Sequence, residues 1–435
     1  MLTTGGTVRF GVKVGIGATL WAMFAFLPQT RDIYQHWRGE WGLLSFMIVC
    51  SMTVGASNTT GWSRLMGTVI GASASFVNWN LTNGNALALI CLDWFVAFWS
   101  YWMIVARGQA PLGRITLLAY NVSTLYAYSL SQKVDDDDDD EGGIDPIISE
   151  IIKHRFVAVT VGILWGLLVC RVVWPISARK KFKQGISTLY LQMGLIWKRG
   201  PLAILLRSDC SRSYLKSGEQ AALQKYAARL DALRVAAASE FELRGPFPTK
   251  QSAALMRCTH RLLDAFYAMS LVTQQRTGRL TEGERALLLF TAEERKVLCD
   301  RICHVFQVLA SSMMLEYPLT DALPSVLGMR DRLLGKIFQF RKEHVPGHKE
   351  IGALDDLATT VGNGNGNGNG TGRKDGGSHP HYPGRFAHVN VEERDYALLY
   401  AYALVTGQVA EELGVVAKEI ESLFGVLDEG SLLLQ

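Results

Sequence analysis

Apolar residues crowd the first 175 positions of the chain, broken by short polar gaps, whereas positions 176–435 alternate apolar and charged residues at helical spacing. The first part predicts membrane spans at about 8–28, 41–57, 64–80, 86–106, 113–130 and 156–175. Each is roughly 17 to 21 residues long, and a rise of ~1.5 Å per residue makes that about 25 to 31 Å, the thickness of a hydrocarbon core. The third span ends in the polar run 78-NWNLTN-83, and Asn121 and Ser123 interrupt the fifth. The first span, with Arg9 and Lys13, could alternatively be a signal peptide, but five more spans behind it argue against that. The second part predicts helices at about 183–208, 217–244, 250–276, 282–316, 320–342 and 391–426, with Gly-Pro-Phe-Pro at 245–248 as a helix stop. The expected fold class is all-α. A polytopic bundle of about six spans occupies 1–175 and a cytosolic helical domain 176–357. A flexible linker follows at 358–388, containing 362-GNGNGNGNG-370, and then a C-terminal region, 389–435, whose helix packs on the cytosolic domain.

Charge orients this arrangement. With both termini in the cytosol, Arg9, Lys13, Arg64, Arg107, Arg114, Arg171, Arg179, Lys180, Lys181 and Lys183 fall on the inner side, against Arg31, Arg38, Lys133, Lys153 and Arg155 outside. The acidic run 135-DDDDDD-140, extended by Glu141, then lies in an outer loop as a solvated tract. A net charge of +4, without a basic tract interleaved with aromatics, speaks against a nucleic-acid partner. The seven cysteines, Cys50, Cys91, Cys170, Cys210, Cys258, Cys299 and Cys303, form no CxxC pair. They read as reduced structural thiols; Cys299 and Cys303 beside His304 are too few for a zinc site, and no metal or other cofactor is expected.

The stretch 62-WSRLMGTVIGASASF-76 places Gly67 and Gly71 on one helix face behind Arg64, with Thr68 between them. A phosphate loop would need a preceding strand, denser glycines and usually a Lys-Ser/Thr end. Small residues four apart let helices approach closely in lipid, and Gly11 with Gly15 and Gly162 with Gly166 repeat the spacing. Tight helix packing is the plain reading of all six glycines. Glycines that leave room for a pore or a rocking helix are the alternative.

The order 40-EWGLLSFMIVCSMTVGASNTTGWSRLMGTVIGA-72, with Arg64, Gly67, Thr68 and Gly71 as an Arg-x-x-Gly-Thr-x-x-Gly motif, resembles the fusaric-acid-resistance and aromatic-acid-exporter superfamily. The segment 155-RFVAVTVGILWGLLVCRVVWP-175 resembles the closing span of its six-helix module, and 239-SEFELRGPFP-248 is similar to the soluble domain that follows this module in fungal exporter-like proteins. Some of these are labelled endoplasmic reticulum transporters, so that membrane and the plasma membrane are both expected locations. The membrane motif is shared with plant malate channels. The fungal relatives usually carry two six-span modules, which implies a homodimer or a second module as partner here.

The resemblance implies export of aromatic or related organic anions. Such cargo needs cations to offset the anion's desolvation, and apolar surface for the ring. Lys13, Arg64 and Arg114 are the candidates for contact with the anion, although membrane topology alone also places cations at helix ends. Asp93, an acidic residue well inside a span, is a candidate proton-coupling site or a structural ion pair. Trp94, Trp99 and Trp102 read as interface and packing residues. No Walker motif is present, so active transport would run on a proton or substrate gradient and not on ATP, and proton-coupled secondary transport is the expectation. His260 and Asp264 match a His-x-x-x-Asp acyltransferase spacing but are equally an ordinary helical pair, so no enzyme activity is expected. His379, His381 and His388 fall in the linker. A passive anion channel, a half-transporter and a non-transporting membrane scaffold are the alternatives.

Overall fold

The computed structural model describes residues 2–131, 148–206, 214–216, 218–241, 245–274, 280–320, 323–344 and 391–427. The acidic run 135–140, Glu141, Cys210, the linker 358–388 and its three histidines lie outside the described residues. The chain forms two compact units: Met1–Phe182 with Ala232–Phe247, and Lys183–Asp231 with Pro248–Gln435.

In the first unit, α1 (Leu2–Phe26) is followed at once by α2 (Pro28–His36), because Pro28 at the helix start needs no N–H partner. Helix α3 (Gly39–Val49) follows Arg38, whose φ of 50° reverses the chain. Helix α4 (Val54–Thr82) opens at Thr53, whose hydroxyl accepts the Ala56 N–H at 3.3 Å. Helices α5 (Ala86–Ala106), α6 (Ala110–Ser131) and α7 (Ile148–Val172) complete the bundle.

The continuous span expected at 41–57 does not form. Helix α3 stops after 11 residues, and at ~1.5 Å per residue it covers only about 16 Å, half a hydrocarbon core. The Thr53 cap starts a new helix where the pattern of apolar residues runs on unbroken. Helix α4 consequently begins ten residues before the third expected span and reaches 29 residues. Four described helices are long and apolar enough to cross a membrane: Gly6–Phe26 of α1, Ala86–Ala106, Ile148–Val172 and Ala292–Leu315. The last belongs to the second unit, where the sequence pattern predicts a cytosolic helix.

The second unit contains most of α8 (Ala178–Trp197), the start of α9 (Glu219–Ala238), α10 (Thr249–Gln274), α11 (Glu282–Phe290), α12 (Ala292–Leu315) and α13 (Val326–His344). A 3-10 turn, Glu393–Tyr396, leads into α14 (Ala397–Phe424). The expected helix at 282–316 is broken at Thr291, which caps one helix and opens the next. Helix α11 starts with a capping box, Thr281 with Glu284, and the Thr281 hydroxyl also donates to Asp395 at 2.8 Å. Two residues of β1 (Leu319–Thr320) pair in parallel with β2 (Val426–Leu427). The core is aromatic: Trp197, Phe266 and Phe306 are buried with ring centroids 5.2 and 6.1 Å apart in sequence.

A helical membrane module and its buried arginine site

Helix α4 lies against α6, and α7 against α3, because glycine removes side chains at the crossings. A Cβ on Gly67 would meet Ile115 at 2.7 Å, and one on Gly71 would collide with the Thr116 carbonyl of α6. On α7, a Cβ on Gly162 would collide with the Gly42 backbone of α3, and one on Gly166 would lie 3.3 Å from Val49. These four positions hold helices at backbone contact. Gly11 and Gly15 behave differently: each faces open space. The close-packing glycine of α1 is Gly17, two residues beyond Gly15, where a Cβ would sit 2.5 Å from the Phe46 ring. The four-residue spacing alone does not tell which face of α1 turns inward, and here the face with Gly17 does.

Polar groups fill the same interfaces. The Ser75 and Thr124 hydroxyls meet at 2.9 Å, and the Asn78 amide donates to the Tyr120 hydroxyl at 3.1 Å, joining α4 to α6. Asn78 and residues around Ser123, which weaken the apolar pattern of spans three and five, thus face neighbouring helices. In lipid a polar side chain must find an internal partner, so such residues mark the inward face.

Arg64 is buried at 3% exposure and its guanidinium donates to the Ser45 hydroxyl at 3.4 Å. Its Nε is buried without a hydrogen-bond partner. Arg64 lines a cavity of about 30 Å³ with Thr68, Ser123 and Arg155 on its polar side and Trp41, Leu118 and Phe156 among its apolar walls. That is room for about two water molecules. Thr68 spends its hydroxyl on the Arg64 carbonyl at 2.8 Å. Arg155 donates to the Val122 carbonyl at 2.6 Å and lies over the rings of Trp41, at 5.2 Å, and Tyr126, at 4.6 Å. Two guanidiniums beside aromatic and aliphatic walls make a site complementary to an anion with an apolar body.

The other charged candidates do not join this cavity. Lys13 is buried at 2% exposure, and its ammonium donates to the Cys170 carbonyl at 2.8 Å. That carbonyl belongs to the last turn of α7, whose final carbonyls lack helical partners, so Lys13 caps a helix end and complements its dipole. Arg114 is exposed in the first turns of α6. Asp93 sits mid-way along α5, half-buried, with Oδ1 enclosed and without a hydrogen-bond partner. Sequence reasoning counted Arg155 only as a topological charge. The signal for it was an arginine seven residues inside what becomes α7, since an intramembrane cation is functional by default. Among the described residues no group of three or more His, Cys, Asp or Glu is placed to hold a metal. His260 and Asp264 are both exposed on α10.

The first unit buries Lys13, Arg64 and a series of Ser and Thr side chains, and turns Leu87, Trp94, Phe95, Phe98 and Val105 outward. A polar interior under an apolar exterior is that of a polytopic helical membrane protein. Residues 14–169 match the fusaric acid resistance protein-like family. No curated protein matches the chain. This match, over the apolar helices of the first unit, suggests a transport-related function in a membrane.

Proposed function

We propose that the chain is a secondary transporter that exports organic anions, aromatic carboxylates foremost, through the bundle formed by α3, α4, α6 and α7. The carrying observation is the buried Arg64, with an unpartnered Nε on a cavity shared with Arg155, Trp41 and Phe156. A carboxylate entering there would supply the acceptor that Arg64 lacks, and removing an uncompensated buried donor is worth about 1–3 kcal/mol. The ring of an aromatic acid would lie against Trp41 and Phe156. The cavity is too small for a ring, so loading requires the bundle to open. The non-helical joint at 50–53, between the half-length α3 and α4, is the place where the helices can move independently.

Asp93 takes the proton-coupling role in this reading, as an acidic side chain well inside a span with an enclosed oxygen that has no hydrogen-bond partner. Both termini face the cytosol, and a second copy or a second module completes the pathway. The test is uptake of labelled benzoate into proteoliposomes with and without a proton gradient. Arg64→Gln should abolish saturable flux, and Asp93→Asn should leave flux that no longer responds to the gradient. Gradient-independent wild-type flux would favour a passive channel; none, from folded protein, would favour a scaffold. Flux that survives Arg64→Gln would remove the site from the pathway.

A further inference from the structure

Helix α4 carries Arg64, and its first turn is held by a segment far away in sequence. Glu240 is buried at 5% exposure. Its carboxylate accepts the Gly55 N–H at 3.1 Å, the Ala178 N–H at 2.6 Å, the Arg179 N–H at 3.2 Å and the Ser177 hydroxyl at 2.8 Å. Gly55 lies in the first turn of α4, and Ala178 and Arg179 open α8. One carboxylate therefore satisfies N–H groups that two helices leave unpaired, and its charge faces the positive ends of both dipoles.

Neighbouring groups close the same joint. The Ser239 hydroxyl donates to the Gly55 carbonyl at 2.6 Å, the Thr59 hydroxyl meets the Ser239 hydroxyl at 3.0 Å, and the Asn58 amide donates to the Ser239 carbonyl at 3.0 Å. Arg179 donates to the carbonyls of Glu240 at 2.7 Å and Gly245 at 3.0 Å. Gly55 has no space for a Cβ, which would collide with the Ala236 carbonyl. The Val54 N–H donates to the Ile176 carbonyl at 3.0 Å.

We infer that Glu240 is a positioning residue for the anion site: by clamping the first turn of α4 to residues 236–241 and to the start of α8, it fixes the register in which α4 presents Arg64 to the cavity. Arg64 lies ten residues, about 15 Å, along the same helix, a distance over which a helix moves as a rigid rod. The role rests on the reading of the Arg64 cavity as the anion site. Glutamine at this position would keep one acceptor oxygen, lose the charge, and turn an NH₂ group towards N–H donors.

The test compares Glu240→Gln with wild type in proteoliposomes. Half-saturation by benzoate should rise about tenfold while maximal flux stays within about twofold, since each lost hydrogen bond to a charged group is worth that much or more. In the same proteins, Ser123→Cys places a thiol on the cavity wall, and its modification by a small methanethiosulfonate, read by mass spectrometry on that peptide, should become about fivefold faster when α4 shifts, as local openings do when a cap is lost. Unchanged half-saturation together with an unchanged Ser123→Cys rate overturns the inference. If wild type moves no benzoate, the transport reading fails while the Ser123→Cys rate still decides whether Glu240 positions α4. If Glu240→Gln does not fold, Ser239→Ala, which removes only the hydroxyl contacts, should shift both readouts in the same direction by a smaller amount; no shift overturns the inference.

Discussion

The two units are built from the same element and sorted by opposite rules. The first buries Lys13, Arg64, Ser45, Ser75 and Thr116 and leaves Trp94 and Phe98 about 60% exposed, whereas the second buries Trp197, Phe266 and Phe306 and keeps most of its charges outside, with Glu284, Arg295 and Asp395 as buried exceptions. Helix α12 makes the contrast sharp. It is apolar enough to span a membrane, yet its apolar stretch is 56% buried within its unit, against 17% for α5. Hydropathy alone gives the two helices one label; what covers each of them separates lipid-facing surface from core. The second unit keeps its aromatic rings inside, while in the first, packing and internal hydrogen bonds join helices whose apolar side chains turn outward.

This contrast is most exposed to test by matched phenylalanines. Phe306→Ala should cost about 3–5 kcal/mol, because the ring is fully buried and leaves a cavity. Phe98→Ala, on the outward face of α5, should cost less than about 0.5 kcal/mol. Denaturant unfolding of the purified protein in detergent checks both, and equal losses would break the comparison.

Glycines of the first unit give the next largest effect. Gly162→Leu drives a side chain into the Gly42 backbone and should cost about 3 kcal/mol or prevent folding. Gly11→Leu points into open space and should be nearly silent in thermal unfolding followed by size-exclusion chromatography. A severe Gly11→Leu would mean that the outward face of α1 is packed against something in the folded protein.

How much of this was legible follows from the same difference. Helix class was written in the apolar pattern, since long apolar runs have few alternatives. The short α3 was not, because the residues on either side of Thr53 are as apolar as a continuing helix, and only its capping hydroxyl marks the start of α4. Arg64 stood out as part of a motif. Its cavity partner Arg155 did not, since 91 positions separate them and only the fold brings α4 and α7 to one wall. Lys13 looked like a ligand for an anion because sequence cannot show that a helix end lies within its reach. Glu240 lay inside the quoted segment 239-SEFELRGPFP-248, but nothing in that pattern separates it from Glu242 two residues on or shows that two helix starts lie within its reach.

Arg64 allows stability and function to be set against each other. Replacing a buried charge with an apolar side chain of similar length is often neutral or stabilising, so Arg64→Met should raise unfolding stability by up to about 1–2 kcal/mol while abolishing saturable benzoate flux. The same melts and flux measurements decide it. A variant that loses stability would make Arg64 a structural residue, in the way that its hydrogen bond to Ser45 would allow.

The smallest effect belongs to the second unit and to acid. Arg199 holds Glu219 through two hydrogen bonds of 2.7 and 2.8 Å. This pairing, helped by the Lys216 N–H and opposed by partial burial, keeps the Glu219 carboxyl below its ordinary value of 4.5. A carboxylate depressed in the folded state stabilises it at pH values above that ordinary value, and the contribution drains away as pH falls through the folded one. Both side chains are about a quarter to a third exposed, at 24% and 30%, so the pair is worth only about 0.5–1 kcal/mol. Hydrogen exchange over residues 214–238 should therefore quicken slightly between pH 6 and about pH 4 in wild type, after correction for the intrinsic rate, and Glu219→Gln should show the faster exchange at both pH values with no further change between them. A Glu219→Gln protein that keeps the full acid response would assign it to other carboxylates of the second unit, and would leave the bidentate pair as surface geometry without a measurable share in its stability.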